Sequence, residues 1–416
     1  MLLKGRALSL VTDLARFFAL AVCAIILASC QTDPQFLWQA KVTRPSSSST
    51  EQKNNLQIPV EAKINGQSVH LVFDTGTAQT LVLFSTAADR LGLKYDAPSP
   101  SAGTVAMGKT APVDVVIGQS KGTLTLKVLP LPRGLDPGFD GLIGWPAIRR
   151  GAFVFDSENL TVEVAQKLPA SVRKWEMLPI HSDPKTWLTF ETEPKAQQPN
   201  LVAIDTGASG GVDLAPAQWR AWRIEHPDAP VTLNCYYRLD IGFRVQEVAW
   251  AKKLSLGSLV LTDVPVEEGA VAPNYMASLG MYAVTRINWA VDIENSSIYF
   301  TPSNAAALPY LANRVGAVFF PRDPRHDDLV AHVLPGTPAY EAGIRDNDVL
   351  LDVGGLDVTH WRTDPSDLSL GKFWEQPVGA KIELTLKHGD AAYKTTVLLR
   401  NIIGPSVDGP KPIAAK

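Results

Sequence analysis

Two short segments of the chain carry an aspartate in a context suited to acid–base chemistry. Each is an apolar run followed by Asp-Thr-Gly, first at Asp74 and again at Asp205. Two carboxylates brought together can divide the work, because like charges about 3 Å apart cannot both ionise. One then acts as a general base toward a water molecule, while the other, still protonated, acts as a general acid toward a carbonyl. The two aspartates are therefore the first candidates for a catalytic pair.

The surroundings of the two triplets are copies of one unit. Residues 141–164 align without a gap to residues 277–300, and each segment begins with a short, largely apolar run that ends in Gly, at Gly144 and at Gly280. The Asp-Thr-Gly triplets lie upstream of these segments in the same order. Alternating apolar residues and an Asn-Gly turn favour β-strands within each copy. The repeat predicts two β lobes, over residues 54–165 and 166–302.

A hydrophobic strand that ends in Asp-Thr-Gly, with two apolar residues and Gly further on, resembles the catalytic loop of the aspartic proteases. Lobes of this size resemble the retropepsin-like (clan AA) branch, here with two lobes fused in one chain. The resemblance implies a mostly β fold with lobes related by a pseudo-two-fold axis. It also implies peptide-bond hydrolysis by a water held between Asp74 and Asp205, with no cofactor and no metal. The expected substrate is a protein or peptide, and the expected catalytic unit is a monomer.

The resemblance assigns supporting roles to the residues beside the two aspartates. In the family the threonines brace the two loops, and the glycines let the backbone turn tightly. A hydroxyl at the next position can bond to the carboxylate and favour its charged form. That hydroxyl is present at Thr77 and absent at Ala208, so we expect Asp74 to ionise more readily and Asp205 to be protonated more often. The dyad-support residues are Thr75, Gly76, Thr77, Thr206, Gly207 and Ala208.

Two features depart from the family pattern. Ser278 takes the place of an apolar residue in the second copy. The flap hairpins should fall at Ser101–Thr104 and around Tyr236 and Tyr237, but neither segment has a Gly-rich tip. Both segments could equally be ordinary surface hairpins.

Residues 303–400 change character and resemble a bacterial PDZ domain, a small β-barrel or sandwich with two helices. The resemblance rests on segments 333–344, 346–355 and 379–389. PDZ domains add an extended peptide to a sheet edge and often take its free C-terminus. The resemblance therefore implies a C-terminal peptide as partner, although the same residues could simply be the first core strand. The residues expected to bind this peptide are Gly316, Ala317, Val318 and Phe319, and residues 401–416 form a C-terminal tail.

The first 29 residues resemble a lipoprotein signal peptide. Basic residues precede an apolar run from Phe17 to Ala28, which is too short to span a bilayer. The run ends in Leu-Ala-Ser before Cys30, which resembles a lipobox. This predicts lipidation of Cys30, a lipidated tether over residues 30–53 and a membrane partner. The expected location is the bacterial cell envelope, at the outer membrane facing the periplasm. A plain secretory signal with a chance cysteine stays open.

Composition narrows the remaining classes of protein. Of the 416 residues 45% are hydrophobic, which excludes a wholly disordered chain. A net charge of −3 supplies no basic surface for nucleic acid. Three cysteines exclude a disulfide framework and a multi-cysteine metal site. Two alternatives to a two-lobe protease stay open: a non-catalytic peptide-binding adaptor, and an enzyme whose dyad forms between the first lobes of two chains.

Overall fold

The structure is a computed structural model that describes residues 36–43, 56–98, 106–131, 138–148, 151–181, 187–194, 200–238, 242–269, 275–322, 328–360 and 371–404. Strands dominate these ranges, and the prediction of a mostly β fold is confirmed. No helix within them is both long enough and apolar enough to cross a membrane. Cys30, the predicted signal peptide, Ser101–Thr104 and most of the predicted tail lie outside the described residues.

The elements follow one another in three groups. The first group is β1 (Trp38–Lys41), β2 (Pro59–Ile64), β3 (Gln67–Asp74), β4 (Leu81–Phe84), α1 (Ser85–Arg90), β5 (Gly108–Ile117), β6 (Ser120–Leu129), β7 (Gly141–Gly144), β8 (Ala152–Asp156) and β9 (Thr161–Ala165). The second is β10 (Glu176–Pro179), β11 (Leu188–Glu191), β12 (Leu201–Ile204), β13 (Val212–Leu214), α2 (Pro216–Glu225), β14 (Val231–Arg238), β15 (Gly242–Leu256), β16 (Leu259–Glu268), β17 (Tyr275–Leu279), α3 (Met281–Val284), β18 (Ile287–Asp292) and β19 (Ser297–Pro302). The third is β20 (Ala317–Pro321), β21 (Leu329–Val333), α4 (Pro338–Glu341), β22 (Val349–Val353), β23 (Leu356–Asp357), α5 (Gly371–Trp374), β24 (Lys381–His388) and β25 (Ala391–Leu398).

The first lobe is a closed barrel in the order β2-β3-β7-β4-β6-β5. Strands β2 and β3 form a hairpin whose turn residues, Asn65 and Gly66, have φ of 47° and 83°. A two-residue turn with positive φ at both positions matches the right-handed twist of its strands, and Asn-Gly adopts it readily. Buried and exposed side chains alternate along β2, which places one face of the strand in the core.

The second lobe repeats this order of strands. Its sheet runs β11-β12-β17-β13-β16-β15-β14, so six strands correspond one to one with those of the barrel. In both lobes the strand before the Asp-Thr-Gly loop lies parallel to the strand with the apolar-Gly run. Strand β14 is an addition at the far edge. The internal repeat read from the sequence is therefore a repeat of topology, as the predicted two-lobe fold requires.

A six-stranded sheet joins the lobes, in the order β1-β9-β8-β18-β19-β10. At its centre β8 of the first lobe pairs antiparallel with β18 of the second lobe. Repeated Asp and Asn residues hydrogen-bond within the turns of two hairpins of this sheet, β8–β9 and β18–β19. The side-chain amide of Asn159 donates to Asp156 Oδ2 at 2.7 Å, and that of Asn295 donates to Asp292 Oδ2 at 2.8 Å. This part of the repeat therefore serves the fold.

Strand β1 corrects one prediction. Residues 36–43 fall within the segment expected to be a tether, residues 30–53, but β1 pairs antiparallel with β9. Phe36 is fully buried and Trp38 nearly so. By pseudo-symmetry β1 matches β10, which pairs with β19. The prediction of a tether is wrong for residues 36–43, because their apolar side chains complete the interlobe sheet.

Aromatic rings connect this sheet to the first Asp-Thr-Gly strand. The ring centroid of Phe73 lies 5.4 Å from that of Trp38 and 5.3 Å from that of Phe153. Phe153 in turn lies 4.7 Å from Trp289 on β18, which is fully buried. One hydrophobic core thus extends from the first lobe through the interlobe sheet into the second lobe.

The C-terminal module has a separate core. Its sheet runs β20-β21-β22-β24-β25, with β23 paired to β22, and two short helices pack beside it. Asp348 is 1% exposed at its centre. Its carboxylate accepts from the hydroxyl of Tyr393 at 2.6 Å and from the backbone N–H of Arg345 at 2.8 Å, and it lies 2.6 Å from Nδ1 of His388. Because the partners come from three segments, this buried carboxylate ties the module together.

Candidate active site

The two aspartates are held at equivalent positions of the two lobes. Asp74 is the last residue of β3 and pairs with Gly144 of β7. Asp205 directly follows β12, and its backbone N–H donates to the carbonyl of Leu279 at 2.9 Å. All four residues of β12 are buried, as are the last four of β3. Buried strands therefore deliver both carboxyl groups to the seam between the lobes.

Thr75 and Thr206 bind each other across this seam. The backbone N–H of Thr75 donates to Thr206 Oγ1 at 3.0 Å, and the N–H of Thr206 donates to Thr75 Oγ1 at 3.0 Å. Each hydroxyl then donates to the opposite strand: Thr75 Oγ1 to the carbonyl of Ile204 at 2.6 Å, and Thr206 Oγ1 to that of Phe73 at 2.9 Å. Both threonines are buried. This reciprocal network agrees with the bracing role predicted for them and forms within one chain.

The glycines of the triplets are required by close approach of the opposite carboxyl group. A Cβ placed on Gly76 would lie 2.7 Å from Asp205 Oδ1, and one on Gly207 would lie 2.6 Å from Asp74 Oδ1. Each glycine also donates its backbone N–H to its own aspartate, at 2.8 Å for Asp74 and 3.0 Å for Asp205. Any larger residue would push the two carboxyl groups apart, so the loops accept only Gly here.

The two carboxyl groups have different partners. Thr77 Oγ1 donates to Asp74 Oδ2 at 2.5 Å, whereas Ala208 offers Asp205 only a backbone N–H, at 3.2 Å. The pKa of the Asp205 carboxyl is raised well above its usual range. Loss of solvation is the main cause, followed by the charge of Asp74 and a hydrogen bond with its carboxyl. A raised pKa at Asp205 agrees with the expectation that this residue is protonated more often.

The polar contacts beyond the dyad differ between the lobes. Strand pairing makes Val82 of the first lobe equivalent to Asp213 of the second, and Leu142 equivalent to Ser278. In the first lobe Val82 and Leu142 belong to an apolar cluster next to the dyad strand. Its other members are Phe84, Leu129, Met107, Leu131 and Phe139. Two facing positions that are apolar in the first lobe are therefore polar in the second. Ser278, the departure noted in the sequence, is one of them, and Asp213 is the other.

A pair of acidic residues, buried Glu267 and half-buried Asp213, occupies this region of the second lobe. Asp213 on β13 lies in register with Glu267 on β16, and their carboxyl groups are hydrogen-bonded. Glu267 is 6% exposed, and burial together with the charge of Asp213 raises its pKa well above its usual range. The charge of Asp213 also contributes to the raised pKa of Asp205. Sequence analysis missed this pair because its members are far apart in the chain and meet only through a parallel strand pairing.

One of the two predicted flap segments can be described. Tyr236 and Tyr237 belong to β14, which forms a long antiparallel hairpin with β15 down to Arg238 opposite Gly242. We call β14–β15 the second-lobe hairpin. In the first lobe Tyr95 bridges to Thr110, so the chain on both sides of the predicted flap at Ser101–Thr104 is paired. The flap prediction at Ser101–Thr104 itself stays untested.

The predicted peptide-binding residues lie in the C-terminal module. Gly316, with φ of 71°, precedes β20, whose first three residues are Ala317, Val318 and Phe319. Strand β20 is at the edge of its sheet. Ala317 and Phe319 point into the module's core, so only backbone groups and the side chain of Val318 could face a peptide. The site prediction itself stays untested.

The described residues contain no group of three or more His, Cys, Asp or Glu placed to hold a metal ion. The chemistry of the dyad is that of two carboxyl groups that share a proton and can hold a water molecule between them.

Comparison with known proteins supports this interpretation of the first lobe. Residues 60–147 match a family model described as aspartyl protease. The match contains Asp74 and its Thr-Gly, and it extends past Gly144 at the end of β7. No curated protein matches the chain. The first lobe is therefore similar to the aspartyl proteases in sequence.

Proposed function

We propose that the protein is an aspartic endopeptidase in which one chain supplies both catalytic aspartates. The observation that carries the proposal is the reciprocal hydrogen bonding of Thr75 and Thr206, which holds Asp74 and Asp205 at equivalent positions of two lobes. A structural turn would need neither the pairing of two loops nor glycines that each face the opposite carboxyl group. A peptide or protein is the expected substrate.

The geometry suggests how the work is divided between the two carboxyl groups. Asp74, with its hydroxyl donor from Thr77, acts as the base and takes a proton from the water as its oxygen attacks the peptide carbonyl carbon. Asp205, whose raised pKa keeps it protonated, donates its proton to the carbonyl oxygen. The tetrahedral intermediate then collapses as the C–N bond breaks. The amine leaves with the proton that Asp74 took, and Asp205 regains its proton from the hydroxyl that becomes the product carboxyl group.

The test is cleavage of a peptide library from about pH 4 to about pH 7.5, with products read by mass spectrometry. We expect Asp74→Asn and Asp205→Asn each to lower the rate by about a thousandfold or more. The matched control is Asp228→Asn, which replaces an exposed carboxylate and should leave the cleavage rate unchanged. Loss with Asp74→Asn alone would favour a dyad formed by the first lobes of two chains. Peptide binding without cleavage at any pH would favour the non-catalytic adaptor.

The C-terminal module carries a second part of the proposal. We infer that it is a PDZ-like domain that recruits substrates or senses a peptide C-terminus at β20. The supports are the sequence resemblance and the position of β20 at a sheet edge. A linked module can raise the local concentration of substrate without touching the dyad. A variant that lacks residues after 305 and still processes protein substrates at the normal rate would remove the recruitment role.

The cellular setting is proposed from the sequence. We propose that Cys30 is lipidated and anchors the catalytic lobes to the bacterial envelope, facing the periplasm. Metabolic labelling with a fatty-acid analogue tests this directly. Label on the wild type and none on Cys30→Ser is the expected result. Equal labelling of both would contradict it.

A further inference from the structure

The C-terminal module packs against the second-lobe hairpin. Strands β14 and β20 lie side by side, although no ladder joins them among the described residues. A small apolar cluster of Val248, Ala312 and Ile403 connects β15 to the segments before and after the module. The module is therefore docked on the hairpin that contains Tyr236 and Tyr237, one of the two candidate flap segments.

Asn313 stands at the centre of this contact. Its side-chain amide donates to the carbonyl of Leu233 on β14 at 3.0 Å and to that of Ala317 at 2.7 Å. Its own carbonyl accepts from the hydroxyl of Thr232 at 2.7 Å. One residue thus links the beginning of β20 to two successive residues of the hairpin.

The same side chain fills a backbone cradle in the module. Asn313 Oδ1 accepts from the N–H of Val315 at 2.9 Å and from that of Gly316 at 3.2 Å. Gly316 has φ of 71°, and a turn of this kind aims successive N–H groups at one point. Such concavities bind anionic oxygens elsewhere in proteins. In this chain the oxygen at that point is the amide oxygen of Asn313.

The surroundings of the cradle suit an extended chain that ends there. Strand β20 begins at the cradle and pairs only with β21 among the described residues, so its other edge could accept a further strand. Strand β14 now lies along this region. A peptide with its carboxylate in the cradle and its backbone along β20 would need the space that Asn313 and β14 occupy.

We propose that Asn313 is a built-in occupant of a carboxylate-binding loop, so that a peptide C-terminus and the second-lobe hairpin compete for the module. The proposal rests on the peptide-binding role proposed for the module. When a carboxylate enters the cradle, Asn313 Oδ1 leaves, and the bond from its amide to Leu233 is lost with it. The two effects are reciprocal. The factor by which hairpin docking weakens peptide binding equals the factor by which bound peptide weakens hairpin docking.

The seam between the two bodies has room for such a change. A cavity of about 450 Å³ lies along it, lined by Ala229 and Pro230 on the lobe side and by Pro335, Thr337 and Arg400 on the module side. Interfaces between domains of one chain resemble transient protein–protein interfaces, and relative motion is expected unless the interface is large and hydrophobic. The hydrogen bonds of Asn313 and the apolar cluster are the described contacts that hold the module to the hairpin.

Two substitutions separate the two roles of Asn313. Asn313→Ala empties the cradle and removes the link to Leu233. Asn313→Asp keeps an acceptor for the two N–H groups but lacks the amide that donates to Leu233 and Ala317. Asn304→Ala is a matched control, because that asparagine bonds to Glu158, away from the module. All variants carry Asp74→Asn so that the probe is not cut, which keeps the result independent of the proposed catalysis.

The first readout is the binding of a fluorescent hexapeptide with an apolar C-terminal residue to the full-length protein in mild detergent. We expect Asn313→Ala to bind the free-acid peptide about tenfold more tightly than the Asn304→Ala control does. Asn313→Asp should bind no better than the control, because its carboxylate repels the ligand. The C-terminal amide of the same peptide can still bind in the catalytic cleft, but Asn313→Ala should not tighten its binding. An equal gain for acid and amide, or no gain with Asn313→Ala, would overturn the proposal.

The second readout is hydrogen exchange of the backbone in residues 231–235. Free-acid peptide should speed this exchange in the control variant at saturation, and Asn313→Asp should speed it without any ligand. Unchanged exchange in both cases would refute competition for the hairpin. This readout decides the question even where Asn313→Ala does not fold.

Discussion

At the scale of single residues, the dyad is symmetric in its backbone and asymmetric in one hydroxyl. The glycines and threonines of the two loops make matching contacts, so each lobe offers its carboxylate the same framework. Thr77 and Ala208 break this match. A donor to a carboxylate favours the charged form. The absence of a hydroxyl at Ala208 therefore helps to keep Asp205 protonated, as its proposed role as the acid requires.

Substitution of Ala208 by Thr should change the pH profile of catalysis. The new hydroxyl would donate to Asp205, as Thr77 does to Asp74, and would lower the pKa of Asp205. Asp205 would then lose its catalytic proton at a lower pH. We expect the alkaline limb of the kcat/KM profile to move down by about one pH unit. Ala208→Val, which has the shape of Thr without the hydroxyl, is the control. An equal shift in both variants would contradict the argument.

Residue types alone revealed the dyad, because its chemistry lies within a few consecutive residues. Asp74 and Asp205 each belong to an Asp-Thr-Gly triplet, which can be recognised in the sequence without knowledge of the fold. Asp213 and Glu267 could not be found this way, because they become neighbours only when β13 and β16 pair. Ser278 was the one visible sign, a polar residue where the repeat has Leu142.

At the scale of elements, strand pairing places half-buried Asp213 beside buried Glu267. Asp213 and Glu267 lie on adjacent parallel strands, and desolvation makes the charged form of Glu267 unfavourable. The folded state therefore holds a proton that the unfolded chain releases above about pH 4.5, the ordinary value for this carboxyl. Stability is lost as the pH rises from that value toward the raised pKa of the folded state.

Substitution of Glu267 by Gln should flatten the dependence of stability on pH. Gln keeps a hydrogen-bonding side chain beside Asp213 and has no proton to release. Each pH unit within the window costs the wild type up to about 1.4 kcal/mol, and the variant should not pay that contribution. We expect Tm to fall less between about pH 5 and about pH 8 in Glu267→Gln than in the wild type. Glu268→Gln, the exposed neighbour, should follow the wild type. Parallel curves for all three proteins would contradict the assignment.

Some elements of the lobes could be predicted, and β1 shows why others could not. The Asn-Gly hairpin of β2 and β3 follows from a local turn signal. Strand β1 has only four residues and sits among polar sequence, so its period is too short to read. Its partner β9 lies more than 100 residues further along the chain. Only the pseudo-symmetry with β10 explains its place.

At the scale of the whole molecule, the interlobe sheet joins the two lobes through one continuous core. Strands β8 and β18 pair at its centre, and one hydrophobic core crosses from lobe to lobe. The C-terminal module keeps a core of its own. This division explains how a docked module could be released from the second-lobe hairpin without disturbing the dyad. The strand that carries Asp74 depends on the interlobe sheet instead, because Phe73 packs against Phe153.

Trp289 is the residue at which this dependence can be measured. It is fully buried on β18 of the second lobe and packs at 4.7 Å against Phe153 of the first, centroid to centroid. We expect Trp289→Ala to lower the free energy of unfolding by about 3–5 kcal/mol, because it leaves a cavity between the lobes. Denaturant titration followed by circular dichroism measures this loss. Ile224→Ala, at a side chain in a residue that is 79% exposed, should change it by less than about 0.5 kcal/mol.

Hydrogen exchange shows which parts of the molecule share that loss. If the lobes form one body, Trp289→Ala should speed exchange to a similar degree in β3 and β12, the strands that carry the two dyad loops. Strands β22 and β24 of the C-terminal module should keep their protection, because their core contains no residue of the lobes. Faster exchange in β12 with β3 unchanged would mean that the lobes open independently. The pairing of Thr75 with Thr206 would then have to hold the dyad together without support from the interlobe sheet.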